Sequence, residues 1–269
     1  MSTRLVDAAG TQHVPASHGF RIVSLVPSIT ELLCDLGLAG ALVGRTGFCI
    51  HPRETVRGIP KVGGTKDVDL EKVRALAPTH VILNVDENRK ETAQTLAEFV
   101  PTLVVTHPLA PLDNPTLYRL VGGMFGRERE AEDLCARFEA ERAALDAAAG
   151  ALPAERVLYL IWKNPWMTVS RDTYISRTLA LVKWETVPGS SGDRYPKISL
   201  DDDALAEARM VLLASEPYPF REGDLAEVRA CLPRARRVVL IDGEMTAWYG
   251  SRAIGALGYL LRFRKALAT

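Results

Sequence analysis

The sequence predicts an α/β protein of two parallel-sheet lobes joined by one long helix. Short apolar runs alternate with helical segments along most of the chain, and one central stretch of helix-forming residues contains no helix breaker. Such alternation is typical of βαβ units, whose strands lie parallel in an open sheet. We therefore expect an amino-terminal lobe over 1–126, a bridging helix within 127–150 and a carboxyl-terminal lobe over 151–269.

The first lobe opens with the apolar run Arg21–Val26, a predicted strand that ends at Pro27. Ser28 to Glu31 have the spacing of a capping box and predict a helix that stops at Gly37. Asp69 is a second predicted helix cap. The other predicted strands are 41–45, 59–62, 80–84 and 102–106, and the other predicted helices are 70–77, 90–99 and 116–125.

The bridging helix is predicted over Glu128 to Ala149, which is rich in Ala, Glu, Arg and Leu. In the second lobe we expect strands at 157–161, 210–214 and 238–241, and helices at 176–182, 223–231 and 252–267. The segments 70–84 and 200–214 both have an acidic helix start that leads into a buried strand. Asp86, Glu87 and Glu216 are therefore expected at equivalent strand ends, where open parallel sheets bind ligands.

The composition excludes several function classes. Lys plus Arg and Asp plus Glu both number 33, so no net charge recruits nucleic acid. The four cysteines form no close pair that would indicate a disulfide framework or a zinc knuckle. No apolar stretch is long enough to span a bilayer, and no secretory signal is visible. We expect a cytoplasmic protein as the sequence stands, and a periplasmic one if a leader has been removed.

Enzyme motifs are absent: the sequence contains no glycine-rich nucleotide loop, nucleophile elbow or zinc-protease motif. A metal site has some support, because His51 and His107 each precede a proline at the start of a loop. They could bind a transition metal together with Cys49, Asp86 or Asp242. The alternative is that both histidines are ordinary polar loop residues, since no close ligand spacing is present.

Aromatic residues cluster where strands of the second lobe are expected to end. Trp162 and Trp166 flank one strand end, Trp248 and Tyr249 follow another, and Tyr218 and Phe220 add two rings. Rings of this kind suit a broad planar ligand, whose acidic groups could meet Arg171, Arg194 or Arg252. The alternative is that the tryptophans seal the core between the lobes.

Several motifs carry a family resemblance that covers nearly the whole chain. They are Leu5-Val-Asp-Ala-Ala-Gly10, His13-Val-Pro15, Arg21 to Ser28, Val43-Gly-Arg-Thr46, Ile59 to Gly63, Asp69-Leu-Glu71 and Leu76 to Ile82. In this order they resemble the helical-backbone metal receptors, the periplasmic binding proteins for cobalamin, ferric siderophores and haem. The cobalamin-binding branch is the most similar.

The resemblance implies two Rossmann-like lobes, one backbone helix between them and a ligand cleft between the lobes. It also implies docking to an ABC permease through one acidic residue on each lobe, and Glu71 matches the first. Where the resemblance places the second acid, Trp248 to Arg252 offer no carboxylate. Thr65 and Val85 stand where cobalamin binders carry aromatic residues. The missing second acid predicts weak coupling to a cobalamin permease, and the missing aromatic residues count against cobalamin itself as the ligand.

We therefore predict a solute-binding protein, not an enzyme, that captures a corrinoid, a ferric siderophore or haem and requires no cofactor. The alternatives are a cytosolic corrinoid or metal carrier without a transporter, and an enzyme using Asp86, Glu87, His107 or Glu216 as acid or base. The predicted ligand contacts are Pro27, Ser28, Phe48, His51, Thr65, Lys66, Asp86, Glu87, Asn88, Trp162, Asn164, Trp166, Trp248 and Tyr249.

Overall fold

A computed structural model of the protein describes residues 4–17, 19–189, 192–232 and 235–267. The chain divides into two compact units. Unit 1 comprises the chain up to Pro108, Leu112–Phe138 and Tyr249–Arg252, and unit 2 comprises Leu109–Pro111, Glu139–Trp248 and the chain from Ala253 onwards. Two short segments, Leu109–Pro111 and Tyr249–Arg252, thus belong to the unit opposite to their place in the sequence.

Unit 1 is built on a four-stranded parallel sheet. A short antiparallel hairpin precedes it. The strands are β1 (Leu5–Val6), β2 (Gln12–His13), β3 (Ile22–Ser24), β4 (Leu42–Arg45), β5 (His80–Asn84) and β6 (Thr102–Thr106). The helices are α1 (Pro27–Asp35), α2 (Arg53–Val56), α3 (Leu70–Ala75), α4 (Lys90–Leu96) and α5 (Asn114–Met124). The predicted strand at 59–62 is wrong, since only an isolated bridge from Arg45 to Lys61 forms there.

The start of α1 corrects a second prediction. The helix begins at Pro27, and its N-cap, Val26, is extended and makes no side-chain cap. Proline suits the first helical position because its φ angle is preset and no partner is needed for an N–H. The predicted capping box from Ser28 to Glu31 is therefore wrong. Asp69, by contrast, does cap α3 by accepting a hydrogen bond from the backbone N–H of Lys72.

The bridging helix is confirmed as α6 (Glu128–Ala149), one unbroken element of 22 residues. Ala131, Leu134, Cys135, Phe138 and Leu145 are buried along it, while its charged residues face solvent. The boundary between the two units falls inside this helix, after Phe138.

Unit 2 repeats the topology of unit 1. Read from the edge formed by the second strand, the order is β8-β7-β9-β10 in unit 2 and β4-β3-β5-β6 in unit 1. Every pairing in both sheets is parallel. Each sheet thus places its first strand between its second and third. The strands are β7 (Glu155–Leu160), β8 (Trp184–Thr186), β9 (Met210–Ala214) and β10 (Arg237–Ile241), and the helices are α7 (Tyr174–Ala180), α8 (Glu222–Cys231), α9 (Glu244–Ala247) and α10 (Arg252–Ala266).

The central strands are buried on both faces, as parallel sheets covered by helices require. All residues of β3, β5 and β9 are buried. The predicted α/β class with two parallel sheets is confirmed. No helix among the described residues is long and apolar enough to cross a bilayer.

Candidate functional site

The strand order marks one place in each sheet where a ligand site is expected. In unit 1 the connections from β3 and β5 leave in opposite directions along the sheet, and in unit 2 those from β7 and β9 do the same. In open parallel sheets the crevice outside the carboxyl ends of such strands is the usual binding site.

In unit 1 the side chain of Asn88 joins three segments of this edge. Its Oδ1 accepts a hydrogen bond of 2.8 Å from the backbone N–H of Asn84. Its Nδ2 donates to the carbonyl oxygens of Leu25, at 3.2 Å, and Thr65, at 2.9 Å. Asn88 is buried. Its amide therefore positions the loops that follow β3 and β5 and the backbone at Thr65.

Asp86 lies beside two basic groups. Lys66 Nζ donates a hydrogen bond of 2.7 Å to the backbone oxygen of Asp86, and His107 Nε2 lies 3.4 Å from Asp86 Oδ1. The contact between His107 and Asp86 brings together two of the residues considered for a metal. Within the described ranges, however, no three His, Cys, Asp or Glu side chains come together as metal ligands. The predicted mixed-ligand metal site is therefore not formed by these residues.

Glu87 is paired with Tyr249, whose hydroxyl donates a hydrogen bond of 2.5 Å to Glu87 Oε1. Burial raises the pKa of Glu87 to about 7, although Tyr249 and Lys66 both act to lower it. Burial, followed by the charge of Glu87, holds the pKa of Tyr249 well above its ordinary value. The pair places a carboxyl group that titrates near neutral pH at the carboxyl edge of the sheet.

Large apolar side chains are exposed at the same edge. Phe48 is 63% exposed, Ile50 50% and Val85 50%. Between the first two, Cys49 is buried, with its Sγ 3.1 Å from Thr46 Oγ1. Ile50 was not among the predicted contacts. An apolar residue in a loop between Gly47 and Pro52 was the signal that could have found it, because such loops are usually polar.

In unit 2 the carboxyl end of β7 presents two tryptophans. Trp162 is 39% exposed and packs edge-on against Tyr218, with ring centroids 5.7 Å apart. Trp166 is half-buried and stacks parallel to Phe220 at 6.1 Å. Between them, Lys163 Nζ is 2.8 Å from Asp224 and 2.6 Å from Glu227. These two carboxylates already neutralise its charge.

Trp248 has a different role, since it is only 8% exposed and its Nε1 donates a hydrogen bond of 2.5 Å to Glu216 Oε1. Its ring is therefore buried, unlike that of Trp162. Glu216 follows β9 as Asp86 and Glu87 follow β5, so the predicted equivalence of these strand ends is confirmed.

The remaining predicted residues divide by exposure. Asn164 and Lys66 are exposed, Thr65 and His51 are half-buried, and Pro27 and Ser28 are buried in the first turn of α1. Glu71 is exposed in the first turn of α3.

The three arginines considered for acidic ligand groups already have acidic neighbours. Arg252 binds Glu31 through two hydrogen bonds, of 2.8 and 2.7 Å. Arg171 lies 3.7 Å from Glu185, and Arg194 lies 3.8 Å from Asp172.

Comparison with known proteins agrees with this architecture. Residues 22–228 match the family described as "Periplasmic binding protein". The vitamin B12-binding protein of Pectobacterium carotovorum subsp. carotovorum is 22% identical over 199 residues, covering 73% of this chain and 72% of that protein.

Two solved structures share the fold. The periplasmic haem-binding protein of Roseiflexus sp. RS-1 is 25% identical with a TM-score of 0.79, covering 93% of this chain and 99% of that one. The periplasmic vitamin B12-binding protein of Vibrio cholerae has a TM-score of 0.80 over 93% of this chain and 98% of that one, and its 16% identity shows the fold alone. The predicted resemblance is confirmed: this chain belongs to the periplasmic binding protein family.

Proposed function

We propose that the protein captures a corrinoid, such as cobalamin or cobinamide, at the carboxyl edges of its two sheets. The observation that carries the proposal is the exposure of Phe48, Ile50, Val85 and Trp162 at strand ends where ligands bind in this kind of sheet. Apolar side chains exposed together at strand ends are typical of a surface that binds a partner. A flat macrocycle with apolar faces is such a partner.

The charges at these edges favour a neutral macrocycle over an acidic one. A corrinoid carries amides around its rim, whereas haem carries carboxylates. Lys163 is neutralised by Asp224 and Glu227, and Arg252 by Glu31. Asp86 and Glu87 add carboxyl oxygens that can accept hydrogen bonds from amides, and Glu87, with a pKa of about 7, can also be protonated at neutral pH. Haem and ferric siderophores are therefore the second choice.

We also propose that the protein docks on an ABC permease. Glu71 is exposed, as the resemblance implies for the first docking acid. Gly250 is buried at a φ of +80°, so a docking carboxylate is not expected at this position. In unit 2 the segment 200–214 is the counterpart of 70–84, and Asp201, the counterpart of Glu71, is exposed. We propose that Asp201 is the second docking acid. With this acid, normal coupling to the permease is expected in place of the weak coupling predicted from the missing carboxylate near Gly250.

The named relatives are binding proteins, which supports capture without catalysis and disfavours the enzyme alternative. The family and the haem-binding relative are periplasmic by name. We therefore propose a periplasmic location for this protein and not a cytoplasmic one. A carrier that works without a transporter would not stimulate ATP hydrolysis by a permease.

The experiment that tests the ligand is a set of calorimetric titrations with cyanocobalamin, cobinamide, haem and a ferric siderophore, and with free Co²⁺ and Fe³⁺ as a separate arm. We expect saturable binding of one molecule of corrinoid per chain. Saturable binding of haem alone would contradict the charge argument. Binding of free metal alone would contradict the proposal and support a role for His51 and His107.

A further inference from the structure

Three arginines lie side by side at the amino-terminal edge of the unit 2 sheet, opposite to the edge described above. Arg156 is the second residue of β7, and Arg209 and Arg236 directly precede β9 and β10. The backbone N–H of Arg209 donates to the oxygen of Arg156, and that of Arg236 to the oxygen of Arg209, both at 2.8 Å. Neighbouring strands are about 4.8 Å apart, so the three residues form a row across the sheet.

The row lines a pocket of roughly 770 Å³ that also includes Arg264, Glu155 and Glu207. Two of the four arginines are paired: Arg264 with Glu155, and Arg156 with Glu207. In the part of the chain that the structure describes, no carboxylate lies within ion-pair distance of Arg209 or Arg236. The pocket therefore has two cations in excess.

Like charges placed on adjacent strands destabilise a sheet unless something neutralises them. Both unpaired guanidinium groups are exposed in a pocket large enough for a small molecule. An anion bound between them would remove the repulsion and would accept charge-assisted hydrogen bonds from both.

A buried donor in the same pocket provides a second observation. Arg264 is only 4% exposed, and its Nε has no hydrogen-bond partner. Its other nitrogens are used, because Nη1 pairs with Glu155 and Nη2 donates a 3.0 Å hydrogen bond to the oxygen of Pro153. An unsatisfied buried N–H is costly, so the wall of the pocket at Arg264 is short of one hydrogen-bond acceptor.

We propose that this arginine pocket, defined by Arg156, Arg209, Arg236 and Arg264, binds a phosphate-bearing ligand. The planar guanidinium fork matches phosphate oxygens in two-pronged hydrogen bonds, and the pocket volume accommodates a group larger than one phosphate. The phosphate belongs to a free small molecule or to a lipid headgroup, which offer the same oxygens. This site lies at the opposite edge of the unit 2 sheet from Trp162 and does not depend on the ligand proposed for the carboxyl edges.

The test uses pyrophosphate as the probe, titrated calorimetrically into the full chain and compared with NaCl of the same ionic strength. We expect saturable binding that weakens as salt is raised. The double substitution Arg209→Gln with Arg236→Gln should reduce the affinity at least about tenfold. Arg262→Gln removes an exposed arginine of α10 that does not line the pocket, and should leave binding unchanged.

Two further arms identify the source of the phosphate and guard against misfolding. Sedimentation with phosphatidylglycerol vesicles, compared with phosphatidylcholine vesicles, reports headgroup binding. If phosphatidylglycerol vesicles capture the protein but pyrophosphate does not bind, the site is assigned to a lipid headgroup. Melting curves check that the double variant is folded. Equal pyrophosphate binding by the wild type and the double variant, or no response to pyrophosphate or to anionic vesicles, would overturn the proposal.

Discussion

The hydroxyl of Tyr249 donates a 2.5 Å hydrogen bond to Glu87, a residue 162 positions earlier in the sequence. Both side chains belong to unit 1, although Tyr249 directly follows Glu139–Trp248, the longest segment of unit 2. The pair thus ties the returning chain to the carboxyl edge of the first sheet. Since Glu87 has its pKa raised to about 7, the strength of this tie depends on pH in the neutral range.

The first prediction concerns this dependence. The pKa of Glu87 is about 7 in the folded protein and 4.5 in the unfolded chain, so the folded state binds the proton more tightly. The contribution of Glu87 to the unfolding free energy is therefore largest below pH 4.5, and it decreases as the pH rises to about 7. The total change is up to about 3 kcal/mol. Urea unfolding of the wild type and Glu87→Gln between pH 4.5 and 8 measures it.

Glu87→Gln keeps the shape and the hydrogen-bond acceptor but removes the titration, so its stability should change less over this interval. Glu98→Gln, a substitution of an exposed glutamate in the same unit, serves as the control and should follow the wild type. Parallel profiles for the wild type and Glu87→Gln would refute the assignment.

The second prediction concerns Gly250, which has a φ of +80°. A Cβ at this position would lie 3.1 Å from the oxygen of Ser28 and 3.3 Å from Cβ of Leu32. Gly250→Ala should therefore cost about 2–3 kcal/mol of unfolding free energy. Gly126→Ala has the same backbone problem, with a φ of +63°, but meets no atom within 4 Å, and should cost about 1 kcal/mol. Equal losses would show that crowding at Ser28 is unimportant.

The third prediction concerns the ion pair between Arg252 and Glu31, whose side chains are 14% and 16% exposed. Removing either partner leaves a largely buried charge, so Arg252→Ala or Glu31→Ala should destabilise the protein by about 2–3 kcal/mol. The pair Arg119–Glu132 has similar two-pronged geometry but is 42% and 57% exposed. A double-mutant cycle should give a coupling of at most about 1 kcal/mol there. A coupling free energy clearly above about 1 kcal/mol for Arg119–Glu132 would contradict the argument that burial decides the strength of these ion pairs.

Much of the fold is predictable from the sequence because its signals are local. Residues 128–149 contain no helix breaker, and the predicted helix matches α6 residue for residue. Strand β8, with three residues, and helix α9, with four, are too short for periodicity to reveal, and both were missed. The start of α1 was misassigned because a capping pattern at Ser28 competes with the stronger preference of Pro27 for the first helical turn.

The candidate site is less predictable because exposure depends on distant residues. Trp162, Trp166 and Trp248 have equivalent local contexts at strand ends. Trp248 is buried and donates its N–H to Glu216, 32 residues away, whereas Trp162 packs against Tyr218 and remains 39% exposed. The sequence predicts which strand ends carry the rings, but not which rings are free to meet a ligand.

The fourth prediction tests permease docking through the rate of ATP hydrolysis by a reconstituted cobalamin-type permease with this protein added. Glu71→Arg and Asp201→Arg should each raise the concentration needed for half-maximal stimulation by about tenfold, because an attraction becomes a repulsion. Glu98→Arg reverses an exposed charge elsewhere on unit 1 and should have no effect. An absence of stimulation by the wild type would favour the carrier that works without a transporter.

The central claim is that the exposed apolar side chains at the carboxyl edges hold the ligand, and a corrinoid titration of four proteins tests it most directly. The dissociation constant for cobinamide is measured by calorimetry for the wild type, Phe48→Ala, Trp162→Ala and Val14→Ala, the last of which truncates an exposed residue outside both edges. Phe48→Ala and Trp162→Ala should each weaken binding by about 1–3 kcal/mol, and Val14→Ala should not change it. Unchanged affinity in both edge variants would contradict the account.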